Sequence, residues 1–141
     1  MKYALLAAFG ALAFASCAPA NTGQNFDVKI SSTGALASAA ASTVTGSASV
    51  STMSDGNAKV VVKLSGMEPN SKHAMHIHVG SCANQGAVVI GLPDVFADAS
   101  GNGSIEKIVE TAKIPAAAYI NVHQKASDAG VGGGIACGNI R

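Results

Sequence analysis

The chain is short of the side chains that carry most enzymatic chemistry: its 141 residues include only four histidines and three cysteines. A nucleophile-and-base constellation built on several histidines is therefore excluded, and any chemistry must come from one small cluster. An excess of one charge is missing as well. Nine basic residues face eight acidic ones, and Lys2 belongs to the leader considered below, so no surplus of Lys or Arg remains to neutralise phosphates. That balance argues against nucleic acid as a partner. Long apolar runs are equally scarce, and past the first residues none approaches the length needed to cross a bilayer.

The first sixteen residues have the pattern of export machinery. Lys2 gives a short basic start, and residues 4–15 form an apolar stretch too short to span a membrane. It runs into Phe14-Ala15-Ser16-Cys17. Small residues leading into a cysteine resemble the bacterial lipoprotein cleavage site, which implies a lipid on Cys17 as the membrane attachment. An ordinary secretory peptide cut near Ala18 or Ala20 is the alternative, and both place the protein outside the cytoplasm, in the periplasm or cell envelope. The expected organisation is a leader at 1–16, a small polar tether at 17–25 and one domain at 26–141. That length suits a single core and is too short for two.

If Cys17 carries lipid, Cys82 and Cys137 remain as an even pair in an oxidising compartment. A disulfide between them would close a loop of 55 residues, which the chain-entropy estimate values at about 4 kcal/mol. Two buried free thiols are the alternative.

The body of the chain reads as β structure. Alternating runs at 44–50 and 59–64 flank Ser54-Asp55-Gly56-Asn57, and Asp-Gly between such runs signals a hairpin. Met67-Glu68-Pro69-Asn70-Ser71 makes the next turn, and later runs at 94–98 and 104–109 are joined through Ser100-Gly101-Asn102-Gly103. Short strands at this spacing predict an all-β antiparallel sandwich or barrel. The alanine-rich stretch 35–41 is compatible with helix, strand or linker.

Three of the four histidines lie in His73-Ala74-Met75-His76-Ile77-His78. On an extended strand successive side chains alternate between faces, so His76 and His78 project from one side and can hold one metal ion between them. The fourth, His123 in Tyr119-Ile120-Asn121-Val122-His123, lies on a second strand-like run and offers a third imidazole. An isolated His-x-His also arises on strand faces with no metal.

These pieces come in the order found in copper,zinc superoxide dismutases. His73-Ala74-Met75-His76-Ile77-His78 resembles that family's His-Gly-Phe-His-x-His strand, and Gly80-Ser81-Cys82 its following disulfide cysteine. Val122-His123-Gln124-Lys125-Ala126 resembles Val-His-x-Lys-Ala, and Ile135-Ala136-Cys137-Gly138-Asn139-Ile140 the terminal Leu-Ala-Cys-Gly-x-Ile. The resemblance spans residues 44–140. It implies a Greek-key β-barrel, copper ligands at His76, His78 and His123, a bond between Cys82 and Cys137, and superoxide as substrate. His73 matches a position that bonds to backbone and orients the copper strand. No catalytic residue is assigned beyond these, and the oligomeric state is not legible.

The departures narrow what the resemblance implies. The family's long zinc loop is reduced to residues 83–90, which contain no histidine, and Gly91-Leu92-Pro93-Asp94 puts Gly91 where a zinc aspartate belongs. Copper without zinc is the expected cofactor content. An aspartate that links the two metal sites in the family falls at Ser127, and Asp94 and Asp128 read as turn and solvent residues. The family's arginine beside copper falls at Gly134, leaving Lys125 and Arg141 as the basic residues near the relevant segments. Loss of that arginine removes preorganised positive charge, which keeps a copper buffering or delivery protein open beside a dismutase.

Overall fold

A computed structural model describes residues 24–32 and 42–141. The leader at 1–16, the lipidation candidate Cys17, nearly all of the tether and the alanine-rich stretch 35–41 lie outside the described residues.

Alternation of apolar and polar side chains produces the strands. In β3 (Asn57–Ser65), Ala58, Val60, Val62 and Leu64 are buried, while the intervening Lys59, Val61 and Lys63 face outward. The same two-residue period buries Val28 and Ile30 of β1 (Asn25–Ser32) and Ala48 and Val50 of β2 (Thr45–Thr52). The β2–β3 hairpin turns through Gly56 at φ +84°, a left-handed conformation that glycine adopts without a Cβ clash, and Asp55 Oδ1 accepts from Asn57 N at 3.0 Å.

The chain continues through β4 (Lys72–Gly80), β5 (Gln85–Phe96), β6 (Gly103–Glu110), β7 (Ala118–His123) and β8 (Gly134–Asn139). Every pairing is antiparallel, in the order β5-β4-β7-β8-β1-β2-β3-β6. The edge strands β5 and β6 approach one another, and Lys107 Nζ donates to Gly91 O at 2.7 Å across the seam, so the sheet curls into a nearly closed barrel. The expected all-β barrel is thus observed. One core fills it, with Ile30, Val60, Val62, Met75, Ile77, Val95, Ile120 and Val122 at its most enclosed positions.

Two local differences from the sequence reading follow from pairing partners. Residues 83–90 are no residual loop: β5 begins at Gln85 because β4 supplies a hydrogen-bonding neighbour from Gly80 back to Lys72. The run expected at 94–98 ends as strand at Phe96, because Asp98 Oδ1 accepts from Ser100 N and Asn102 N at 2.8 and 2.9 Å and turns the chain there.

Candidate metal centre

The core decides which way the histidines point. Met75 and Ile77 of β4 pack inside the barrel, so His76 and His78 stand on its outer face; Ile120 and Val122 do the same for Tyr119, Asn121 and His123 of β7. Strands β4 and β7 are hydrogen-bonded neighbours with His76 opposite Asn121 and His78 opposite Tyr119. That register brings the three imidazoles together. One ligand nitrogen from each of His76, His78 and His123 lies within 4.8 Å of the others.

Backbone carbonyls fix which nitrogen each ring presents. His78 Nδ1–H donates to Gly86 O at 2.9 Å, and His123 Nδ1–H donates to Gly132 O at 3.1 Å. Both Nε2 atoms therefore carry lone pairs, the usual arrangement of a metal-binding imidazole held by an outer partner. His123 Nε2 sits 3.1 Å from His76 Nδ1, where without a metal His76 donates its proton. His78 Nε2 is buried and has no hydrogen-bond partner among the described residues. A buried acceptor left in this state is costly. A metal ion taking the lone pairs of His76 Nδ1, His78 Nε2 and His123 Nε2 satisfies it, so the residues fit such an ion.

The surroundings favour neutral rings. Burial, then the neighbouring His123 and His78, hold His76 below its usual value, with Asp94 opposing weakly. Burial likewise lowers His123 against the opposing bond to Gly132. Protons compete with metal for the same lone pairs, and these downward shifts favour unprotonated His76 and His123 at neutral pH. The sign for stability is also fixed: a lowered imidazole pKa means the unfolded chain takes up protons first. Metal-free protein is expected to lose stability as pH falls through about 6.5, levelling off below the folded-state values. Urea midpoints between neutral and mildly acidic pH check this, and a double His76→Gln, His123→Gln variant should show a flatter profile.

His73 is 7 % exposed and lies beneath the cluster's backbone. Its Nδ1–H donates to His123 O at 2.8 Å, and its Nε2 accepts from Ser71 Oγ at 2.8 Å. It thus fixes the backbone that carries one ligand. Cys82 and Cys137 are bonded to one another, and Cys82 N donates to Asn139 Oδ1, joining the end of β4 to β8.

Asp94 departs from the expected turn-and-solvent reading. Its side chain is only 9 % exposed. Oδ2 accepts from Ser127 N and Oγ at 3.0 and 2.9 Å, and Lys72 Nζ lies 3.3 Å away. Burial raises the Asp94 carboxyl, but the bonds from Ser127 and Lys72 outweigh it and leave it below the usual carboxylate value. Ser127 thus ties its loop to β5. Lys72 reaches Asp128 as well, at 3.3 Å, and Asp128 itself is largely solvated as expected.

The basic residues near these segments divide. Arg141 is committed elsewhere, its Nη2 donating to Ile114 O at 3.2 Å and its guanidinium lying 4.9 Å from the centre of the Phe26 ring. It does not stand in for an arginine beside the histidines. Lys125 is exposed, with its backbone tied to Ala74 and Val131. Gly91 lies opposite His76 across the β4–β5 pairing, and a Cβ there would meet nothing within 4 Å, so this flank of the cluster is open.

Sequence reasoning missed two side chains of the cluster. Tyr119 stacks on His78 with ring centres 5.0 Å apart, and burial pushes its phenol up, so it stays uncharged. Asn121 is 3 % exposed and brings Nδ2 to 3.5 Å from His123 Nε2. The signal available was the period of β7, since every second residue counted back from His123 shares its face. The carbonyls of Gly86 and Gly132 leave no mark in sequence.

A nearly closed antiparallel barrel with three histidines on its outer face defines a superoxide dismutase-like architecture, and solved structures bear this out. A SOD-like protein from Bacillus subtilis superposes with a TM-score of 0.62 at 15% identity, covering 82% of this chain and 98% of that one. The clock protein EA4 matches with a TM-score of 0.61 at 16% identity over 85% of this chain and 96% of its own. A double mutant of the Bacillus subtilis SOD-like protein gives 0.61 at 14% identity, over 81% and 95% respectively. Such identities establish the shared fold. Residues 26–131 match the model of the CHRD domain, and the chain belongs to that family. No curated protein sequence matches it.

Proposed function

We propose that the chain is an exported copper protein whose three-histidine site removes superoxide. The observation that carries this reading is the convergence of His76 Nδ1, His78 Nε2 and His123 Nε2, the second of them buried without a hydrogen-bond partner among the described residues. Imidazole suits several divalent metals, and three neutral nitrogens beside an open flank suit both oxidation states of copper. The resemblance of the histidine, cysteine and terminal motifs to copper,zinc superoxide dismutases favours copper over the others.

Bound there, copper would supply one-electron redox chemistry, by which two superoxide ions and two protons would give dioxygen and hydrogen peroxide. The chain's own residues hold and orient. Gly86 O and Gly132 O lock two rings, His73 steadies the backbone at His123, and the open side at Gly91 admits substrate and solvent protons. In this reading the leader exports the chain and a lipid on Cys17 tethers it to the membrane, with no zinc and no nucleic acid involved.

A second reading, a copper buffer or delivery protein, draws support from Arg141, whose engagement with Ile114 and Phe26 leaves it unable to guide an anion to the histidines. One experiment separates the two. The mature domain is loaded with copper and superoxide decay is followed by pulse radiolysis beside a metal analysis. Stoichiometric copper with decay far above the buffer rate is the expected result. Stoichiometric copper without acceleration leaves the carrier reading, and no copper retained after dialysis rejects both.

A further inference from the structure

We infer that the carboxamide of Asn121 contacts the small anion held at the open position of the metal, as an uncharged hydrogen-bond donor. The inference rests on the copper reading above. Asn121 stands between His76 on β4 and Cys137 on β8 in one cross-strand row, so its side chain shares the outer face with the ligands. It is 3 % exposed, and nothing among the described residues donates to its Oδ1.

The geometry identifies that use. Asn121 Nδ2 lies 3.5 Å from His123 Nε2, the atom whose lone pair a metal takes. Once that lone pair is engaged, the amide hydrogen loses its acceptor and faces the metal's remaining ligands. An anion bound at the metal supplies a new acceptor, and a hydrogen bond to a charged partner is stronger than a neutral one.

Gly134 makes this placement possible. A Cβ at position 134 would lie 2.6 Å from Asn121 Oδ1 and 3.0 Å from Nδ2. Any side chain there displaces the amide. Glycine at 134 and asparagine at 121 are therefore one coupled choice, in which a neutral donor on β7 replaces a charged one on β8.

Azide, a linear anion that binds Cu(II) and gives a visible charge-transfer band, is the probe. It is titrated against copper-loaded full-domain protein, with copper affinity measured in parallel by chelator competition. Asn121→Val is expected to weaken azide about tenfold or more, the usual loss when one bond to an anion is removed, while copper affinity should change far less, because the outer nitrogens of His78 and His123 are held by Gly86 O and Gly132 O and not by Asn121. Asn121→Asp keeps the shape and should weaken azide further by repulsion. Gly134→Ala tests the coupling without changing a residue of β7: by displacing the Asn121 amide it should weaken azide in the wild-type background and add little to Asn121→Val. Equal azide affinity in the wild type, Asn121→Val and Gly134→Ala would overturn the inference. So would loss of copper from Asn121→Val, which makes Asn121 a metal ligand. Failure of the wild type to take up copper overturns the copper reading along with it, whereas copper uptake with unchanged azide affinity overturns this inference alone.

Discussion

His123→Ala should lower copper affinity by more than about a hundredfold, beyond the loss that follows from removing an outer partner of a ligand. Of the three histidines that could hold a metal ion, His123 alone comes from β7, and His76 and His78 without it would offer two nitrogens on one strand. The substitution also strips His76 Nδ1 of the acceptor at 3.1 Å. The barrel should persist, because His123 faces outward and contributes nothing to the core formed by Ile120 and Val122. Competition against a chromophoric chelator reads the affinity, and circular dichroism checks the fold. Retention of wild-type affinity by a folded variant would refute the ligand assignment. His73→Ala gives the contrast: its ring touches backbone at His123 O, so affinity should fall by only about tenfold to a hundredfold.

Removing the disulfide is the second large effect. Cys82 and Cys137 are 55 residues apart, and closing a loop of that length is worth about 4 kcal/mol in the chain-entropy account. A domain of this size should then unfold about 10 to 20 °C lower on reduction or in a double Cys82→Ser, Cys137→Ser variant. The loss should be larger than for most single substitutions because the bond sits at the end of β4, where Asn139 on β8 also holds Cys82 N. Differential scanning calorimetry with and without reductant provides the comparison. An unchanged midpoint would show that the β4–β8 junction is held by hydrogen bonding alone.

Much of the barrel was legible because burial and period coincide. The hairpin at Asp55-Gly56, the turn at 67–71 and the strands on either side of them follow from alternation and turn chemistry, both local properties. The three-histidine cluster was legible for the same reason on β4, and through motif resemblance on β7. The environment was not. Asp94 reads as a turn residue until Ser127, 33 positions away, is seen to donate to it twice. Arg141 reads, like Lys125, only as a basic residue near the relevant segments until the closing of the barrel brings it over Phe26. Asn121 carries no motif, and its significance lies in Gly134, which faces it only after β7 and β8 pair. Each miss concerns a partner distant along the chain, where periodicity carries no information.

The pairing of β4 with β7 has a consequence for when a metal can be held. His76 and His123 are 47 positions apart and meet only through that long-range ladder, so a chain emerging unfolded presents one His-x-His and a solitary imidazole. Contacts of such span form late in the search for the native state. Metal captured by the completed barrel therefore acts chiefly on the rate of leaving that state, lengthening the lifetime of the folded protein while leaving the speed of its first assembly little changed.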